Sequence, residues 1–198
     1  MAELMRRTQG AQQGARSSRV VEAVLRATTA ELSRGGYARL TIEGIARAAG
    51  VNRTTVYRRW PTRAALLAAV LEPLLARYDV VPDTGSSCHD LSVLLRTVRD
   101  NAELPEGQAF TEATRSTSTE LQDLMSAALH RALAPFHAVL ARAAQRGEIR
   151  PEQRDLIAQL AFFGAAMWTQ THPAPPTDTE CDDMAQLLLP GAAAAHKR

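Results

Sequence analysis

The stretch VNRTTVYRRWPTR, Val51–Arg63, decides how the rest of the chain is read. It holds four arginines, three threonines and two aromatics in thirteen residues, with no acid. A solvated helix face mixes signs, and a core helix excludes Arg53, Arg58, Arg59 and Arg63 together. The cations therefore need a counter-charge from elsewhere. Upstream, Thr41 is a good N-cap, Ile42, Ile45, Ala46 and Ala49 recur at helical spacing, and Gly50 stops the pattern. Asn52 then caps a second helix, Arg53 to about Trp60, which Pro61 ends. Helix, short glycine turn and helix make a helix-turn-helix, whose second helix enters the DNA major groove while the first crosses the backbone.

The side chains suit that task. Asn52 as N-cap leaves Arg53, Thr54 and Thr55 in the first turn, the part that reaches base edges. Arginine bonds guanine O6 and N7 as a pair, and threonine offers a hydroxyl to a base or a methyl to thymine. Val56 falls on the inner side, against the first helix of the motif, and Trp60 reads as a core anchor. Tyr57 and Arg59 lie further along the exposed face, where a phenol and a guanidinium suit phosphates. Thr41, Thr62 and Arg63 sit at helix N-termini, where unpaired backbone N–H groups already favour an anion.

Charge supports the same conclusion once it is divided. The 198 residues carry a formal net charge of only +2. Residues 1–63, however, hold twelve arginines against four glutamates, +8, and residues 64–198 hold eleven cations against seventeen acids, −6. A basic N-terminal third is the electrostatic footprint of a polyanion partner. Double-stranded DNA is the expected one, and a membrane surface is the rival.

Outward from the motif, the pattern is helical throughout, so the fold class is all-α. Val20, Val21, Val24, Leu25, Thr28 and Leu32 form one stripe of a helix from about Arg16 to Arg34, ended by Gly35 and Gly36. A fourth helix runs from Thr62 through Leu66, Leu67, Val70 and Leu71, with Pro73 expected to kink or end it. Asp79–Asp90 reads as a linker, rich in Pro, Gly and Ser. Further helices are expected over Leu91–Leu104, Ala109–Arg115, Thr119–Arg146, Glu152–Gln170 and Asp178–Leu189. The division expected is a basic disordered arm at 1–15, a DNA-binding domain at 16–62, a second helical domain at 63–190 and a disordered tail at 191–198. Arg6, Arg7, Arg16 and Arg19 are as consistent with a minor-groove arm as with a solubilising tail.

LTIEGIARAAGVNRTTVYRRWPTRAALLAAVL, Leu40–Leu71, resembles the DNA-binding domain of the TetR family of transcriptional regulators. The resemblance implies operator contact for Thr41, Arg53, Thr54, Thr55, Tyr57, Arg59 and Arg63. It also implies that the fourth helix joins the three-helix DNA-binding domain to a C-terminal ligand-binding and dimerisation domain.

The second half carries no catalytic constellation. Its histidines lack HExxH or other metal spacing, and there is no GxSxG, P-loop or GxGxxG. The chain is therefore not read as an enzyme, and no cofactor or metal is implied. Cys88 and Cys181 read as two unpaired thiols of a cytoplasmic protein. No run of eighteen apolar residues is present. The apolar runs LIAQLAFFGAAMW and MAQLLLP suit a helical homodimer interface, with Ala161, Gly164, Ala165 and Ala166 allowing close approach. Phe110, Met125, Phe136, His137, Phe163 and Trp168 are candidate walls of a pocket for a small apolar or amphipathic organic effector, with ordinary core packing the alternative for each. Arg96 and Arg99 are available to anchor an acid group or to face solvent. The expected function is a dimeric repressor released from a palindromic operator by that effector. A regulator of the same fold without a small-molecule ligand is the alternative.

Overall fold

The computed structural model describes the backbone of residues 2–114 and 119–190, and the side chains of residues 17–111, Ala113 and residues 119–190. Every described element is helical: α1 (Ala2–Arg39), α2 (Ile42–Ala48), α3 (Arg53–Arg59), α4 (Arg63–Leu75), α5 (Ser87–Glu103), α6 (Pro105–Thr114), α7 (Thr119–Gln145), α8 (Arg154–Ala166) and α9 (Asp178–Leu188). Short 3-10 turns cover Ala76–Asp79, Pro151–Gln153 and Trp168–Gln170. Two compact units result. One takes the chain as far as Glu72 together with Gln108–Gln122, and the other takes Pro73–Gly107 and the chain from Asp123 onward. The boundary expected at 62/63 thus differs from the compact division, which places most of α4, part of α6 and the first turn of α7 with the helix-turn-helix.

In the first unit α1 packs on α2, and α2 on α3. Val24, Leu32, Leu40, Ile45, Val56, Leu66 and Leu67 are buried in its core. Each such side chain contributes about 1.5–3 kcal/mol by leaving water. Thr28, on the same stripe of α1, is fully buried and returns its hydroxyl to the Val24 carbonyl at 2.8 Å. The backbone of α1 is helical from Ala2, where a disordered arm was expected through residue 15. Ala, Glu, Leu, Met, Arg and Gln predominate there, and their helix propensity outweighs Gly10 and Gly14. Gly36, at φ 65°, breaks α1 where the glycine pair was expected to end it. The expected tail at 191–198 lies outside the described residues.

In the second unit α5 packs against α8 and α9, and α8 against α9. Pro73 lies inside α4, which continues to Leu75 before tightening into the 3-10 turn. The expected linker is shorter than Asp79–Asp90. Ser86 caps α5 through the His89 N–H, so Ser87–Asp90 are already helical. Asp90 is fully buried rather than a loop residue. Its carboxylate accepts the Thr84 N–H and hydroxyl, each at 2.8 Å, and an Arg142 N–H at 3.2 Å. Arg142 also donates to the Pro82 carbonyl, which ties the 80–86 segment to α7.

Arg96 and Arg99 are engaged inside the protein, not free to meet an acidic ligand. Arg96 meets Asp182 at 2.7 Å, and Arg99 meets Asp178 at 2.6 Å and the Pro176 carbonyl at 3.1 Å. These pairs clamp α5 to α9. Cys88 and Cys181 are both free thiols, and burial raises the pKa of each. α7 is the one described helix with the length and mean hydropathy of a membrane-crossing segment. Phe136, Val139, Leu140 and Ala143 of that helix are wholly buried, and its Arg131 holds Asp79 at 2.6 Å.

Two outcomes follow from these charges. Asp90→Ala strips Arg142 of its buried partner and should cost about 3 kcal/mol in a urea titration; an unchanged midpoint contradicts the role given to Asp90. The carboxyl pKa values of Asp79, Asp178 and Glu180 are all lowered, by Arg131, by Arg99 and by the Thr177 N–H and hydroxyl respectively. A carboxylate with a depressed folded-state pKa stabilises the fold above its unfolded pKa, about 4, and that contribution is lost on further acidification. The Tm should fall as pH drops below about 4, and a Tm that rises there contradicts the clamp.

Candidate nucleic-acid interface

Four residues, Ala49 to Asn52, separate α2 from α3. The Gly50 N–H bonds to the Arg47 carbonyl at 3.2 Å, and the Val51 N–H to the Ala46 carbonyl at 2.9 Å. This pair of bonds is the Schellman closure of a helix C-terminus, and it requires Gly50 at its observed φ of 67°. Asn52 then starts α3 at once, its Oδ1 accepting the Thr54 N–H at 3.0 Å and the Thr54 hydroxyl at 2.9 Å. Both helices are capped as the sequence suggests, Thr41 accepting the Gly44 N–H at 3.1 Å. Gly44 is accounted for by this cap, because a Cβ there would stand 2.9 Å from the Thr41 hydroxyl.

α3 buries Val56 completely and turns its other side outward. Arg53, Thr54, Tyr57, Arg58 and Arg59 are exposed, Thr55 is half-buried, and Trp60, the C-cap, is half-buried. Tyr57 donates its hydroxyl to Glu43 Oε1 at 3.3 Å, and Arg59 donates to the Ser17 hydroxyl. Glu43 and Ser17 are neighbours that the sequence reading did not supply. No local pattern pairs them with α3, since they lie 14 and 42 residues away.

The N-terminus of α4 differs from expectation. Thr62 caps it through the Ala65 N–H at 3.0 Å, as predicted. Arg63, however, is half-buried and already has partners. Its guanidinium lies 4.7 Å over the Tyr37 ring, donates to the Leu40 carbonyl at 3.4 Å and stands 3.8 Å from Glu120. The Glu120 carboxylate also accepts the Tyr37 hydroxyl at 3.0 Å and the Ala64 N–H at 3.4 Å. Burial and this bond to Glu120 push the Tyr37 pKa up to about 12, so the phenol stays a donor. Leu40, Thr41, Ile42, Glu43, Tyr57 and Thr62 share a groove of about 430 Å³ with Arg63 and Glu120.

The candidate effector residues are divided between the two units. Phe110 is half-buried and belongs to the first unit, the other five to the second. Phe136 is wholly buried, edge-on to Phe162 at 6.0 Å. Met125 and His137 are half-buried, and His137 Nδ1 stands 3.5 Å from Asp155. Trp168 is half-buried and stacks on His172 at 4.0 Å. Phe163 is 42% exposed, and its neighbour Phe162 takes the interior position instead. Both lie in one apolar run, whose composition does not say which of two successive rings faces inward. Tyr78, buried against Phe162 at 6.2 Å, is the other interior aromatic missed from sequence, and burial raises its pKa to about 12.

Residues 24–70 match the family described as bacterial regulatory proteins, tetR family, and residues 81–188 match the tetracyclin repressor-like C-terminal domain. The DNA-binding transcriptional repressor TetR of Mycobacteroides abscessus is 34% identical over 137 residues, 66% of this chain and 71% of that protein. The HTH-type transcriptional regulator AqdR of Rhodococcus erythropolis is 28% identical over 179 residues, 88% of this chain and 85% of its own length. In fold, the chain is similar to the transcriptional regulator FadR of Bacillus subtilis, crystallised in complex with stearoyl-CoA, with a TM-score of 0.68 and 19% identity over 88% of this chain and 98% of that one. The helix-turn-helix of Thr41–Trp60 and the helices that follow it thus place this chain in the TetR family, as a DNA-binding transcriptional regulator.

Proposed function

We propose that the protein is a cytoplasmic homodimeric repressor that binds a palindromic DNA operator and is released by a small apolar or amphipathic organic effector. The observation that carries the DNA half is the exposed face of α3. Arg53 and Thr54 lead that helix, while Val56 anchors it from below. Arg53 reads a base edge, Thr54 and Thr55 contribute hydroxyl or methyl contacts, and Tyr57, Arg59, Thr41 and Thr62 hold phosphates. A single such helix reads few base pairs, so two copies spaced by about 34–36 Å are needed.

The dimer reading has its own support. Leu156, Leu160, Phe163 and Met167 are exposed at steps of four, three and four residues along α8 and its C-cap. They form one apolar stripe, and Leu187 of α9 is exposed as well. Such a stripe marks an interaction surface. Ala161 and Ala165, expected at the seam, are buried within their own unit, whereas Gly164 is exposed on the side of the stripe. The seam is therefore proposed along Leu156, Leu160, Phe163 and Gly164.

The effector reading rests on the family and on the character of the second unit. The B. subtilis FadR structure contains stearoyl-CoA, a long apolar chain on a polar group. Phe136, Met125, His137 and Trp168 supply soft and aromatic surface in that unit. An effector that binds only the DNA-incompetent conformer weakens DNA affinity by the same coupling factor that DNA imposes on the effector.

The test uses a duplex selected by the protein itself. Arg53→Ala should lose about 1–3 kcal/mol of discrimination at one base pair of each half-site. An unchanged preference at every position overturns the base-reading role of Arg53. Leu160→Asp should yield monomers by sedimentation and weaken binding to the paired site about 100-fold. A dimer that survives Leu160→Asp moves the interface elsewhere.

A further inference from the structure

We propose that Glu120 is an intramolecular competitor of the DNA backbone: its carboxylate holds Arg63, and DNA takes Arg63 only when Glu120 lets go. The proposal rests on the DNA-binding reading and adds its regulation. Arg63 stands on the groove beside Thr41, Tyr57 and Thr62, the residues assigned to phosphates. Among the described residues its guanidinium is the one cation lining that groove, and its acid partner is Glu120. The same carboxylate takes up the Ala64 N–H, so the anion-favouring features of this end of α4 are satisfied from inside the chain.

The contact is built to be exchanged. Arg63 and Glu120 are 37% and 39% exposed, and their closest approach is 3.8 Å. An ion pair of that exposure and geometry is weak, and a phosphate offers the same guanidinium a better, two-pronged partner. Tyr37 orients the assembly, giving its hydroxyl to Glu120 and its ring face to Arg63.

The experiment is fluorescence anisotropy with a labelled random-sequence duplex of about forty base pairs, across a salt series, because phosphate contacts do not depend on sequence. The full chain is compared with Glu120→Gln, Arg63→Ala and the double variant, each checked for folding by circular dichroism. Glu120→Gln should bind about threefold to tenfold tighter, with a salt slope steeper by about 0.9, the signature of one more phosphate contact. In the Arg63→Ala background the same change should gain almost nothing. Equal or weaker binding by Glu120→Gln overturns the proposal, and so does an equal gain in both backgrounds, which is plain removal of an acid near DNA. If Glu120→Gln does not fold, Tyr37→Phe, which removes only one donor to Glu120, should tighten binding in the same direction; unchanged or weakened binding overturns the proposal. Failure of the unaltered protein to bind the duplex sinks the DNA reading itself, a result distinct from a failed competition.

Discussion

A single backbone conformation carries the interface. Gly50 at φ 67° closes α2, and within two residues Asn52 opens α3. A residue with a Cβ is strained in that conformation, and a longer connection would let α3 turn about its axis. Because the turn leaves no slack, Val56 faces inward and Arg53, Thr54 and Tyr57 face outward together. The Asn52 and Thr41 side chains complete the arrangement by satisfying N–H groups that α3 and α2 would otherwise leave bare. Recognition chemistry here is a consequence of helix-end chemistry.

The second unit obeys a different balance. Its helices bury alanines, leucines and three aromatics, and charged pairs then set their alignment. Asp90 and Arg142 fasten α7 and the 80–86 segment to α5, and Arg96 and Arg99 fasten α5 to α9. Those contacts engage both arginines that the sequence offered either to an acid group or to solvent. The unit also leaves an apolar stripe exposed, Leu156–Met167. An exposed apolar stripe of this kind marks an interaction surface.

The legible parts of this molecule were the local ones. Thr41, Gly50, Asn52 and Thr62 act within three or four residues of themselves, and their roles follow from residue type and spacing. The all-helical class was equally legible, from apolar periodicity and the scarcity of strand-forming residues. Contacts between distant segments were not. Glu120 reaches Ala64 across 56 positions, and Asp182 reaches Arg96 across 86. Nothing in the chain's pattern distinguishes either acid from a solvated one. The same limit applies to Phe162 and Phe163, which share a run that is apolar on every side. Arg63 shows the consequence most clearly: residue type suggested a free cation for DNA, and tertiary structure supplies Glu120 as its present partner.

The central claim is that α3 of two copies reads a symmetric sequence. Selection from a random-sequence duplex library, repeated at a low and a high salt concentration, tests it most directly. The account predicts recovery of an inverted repeat, with half-sites about one DNA turn apart, that persists at the higher salt. Binding that yields no consensus and vanishes with salt would contradict it, and would leave the basic segment a general polyanion surface.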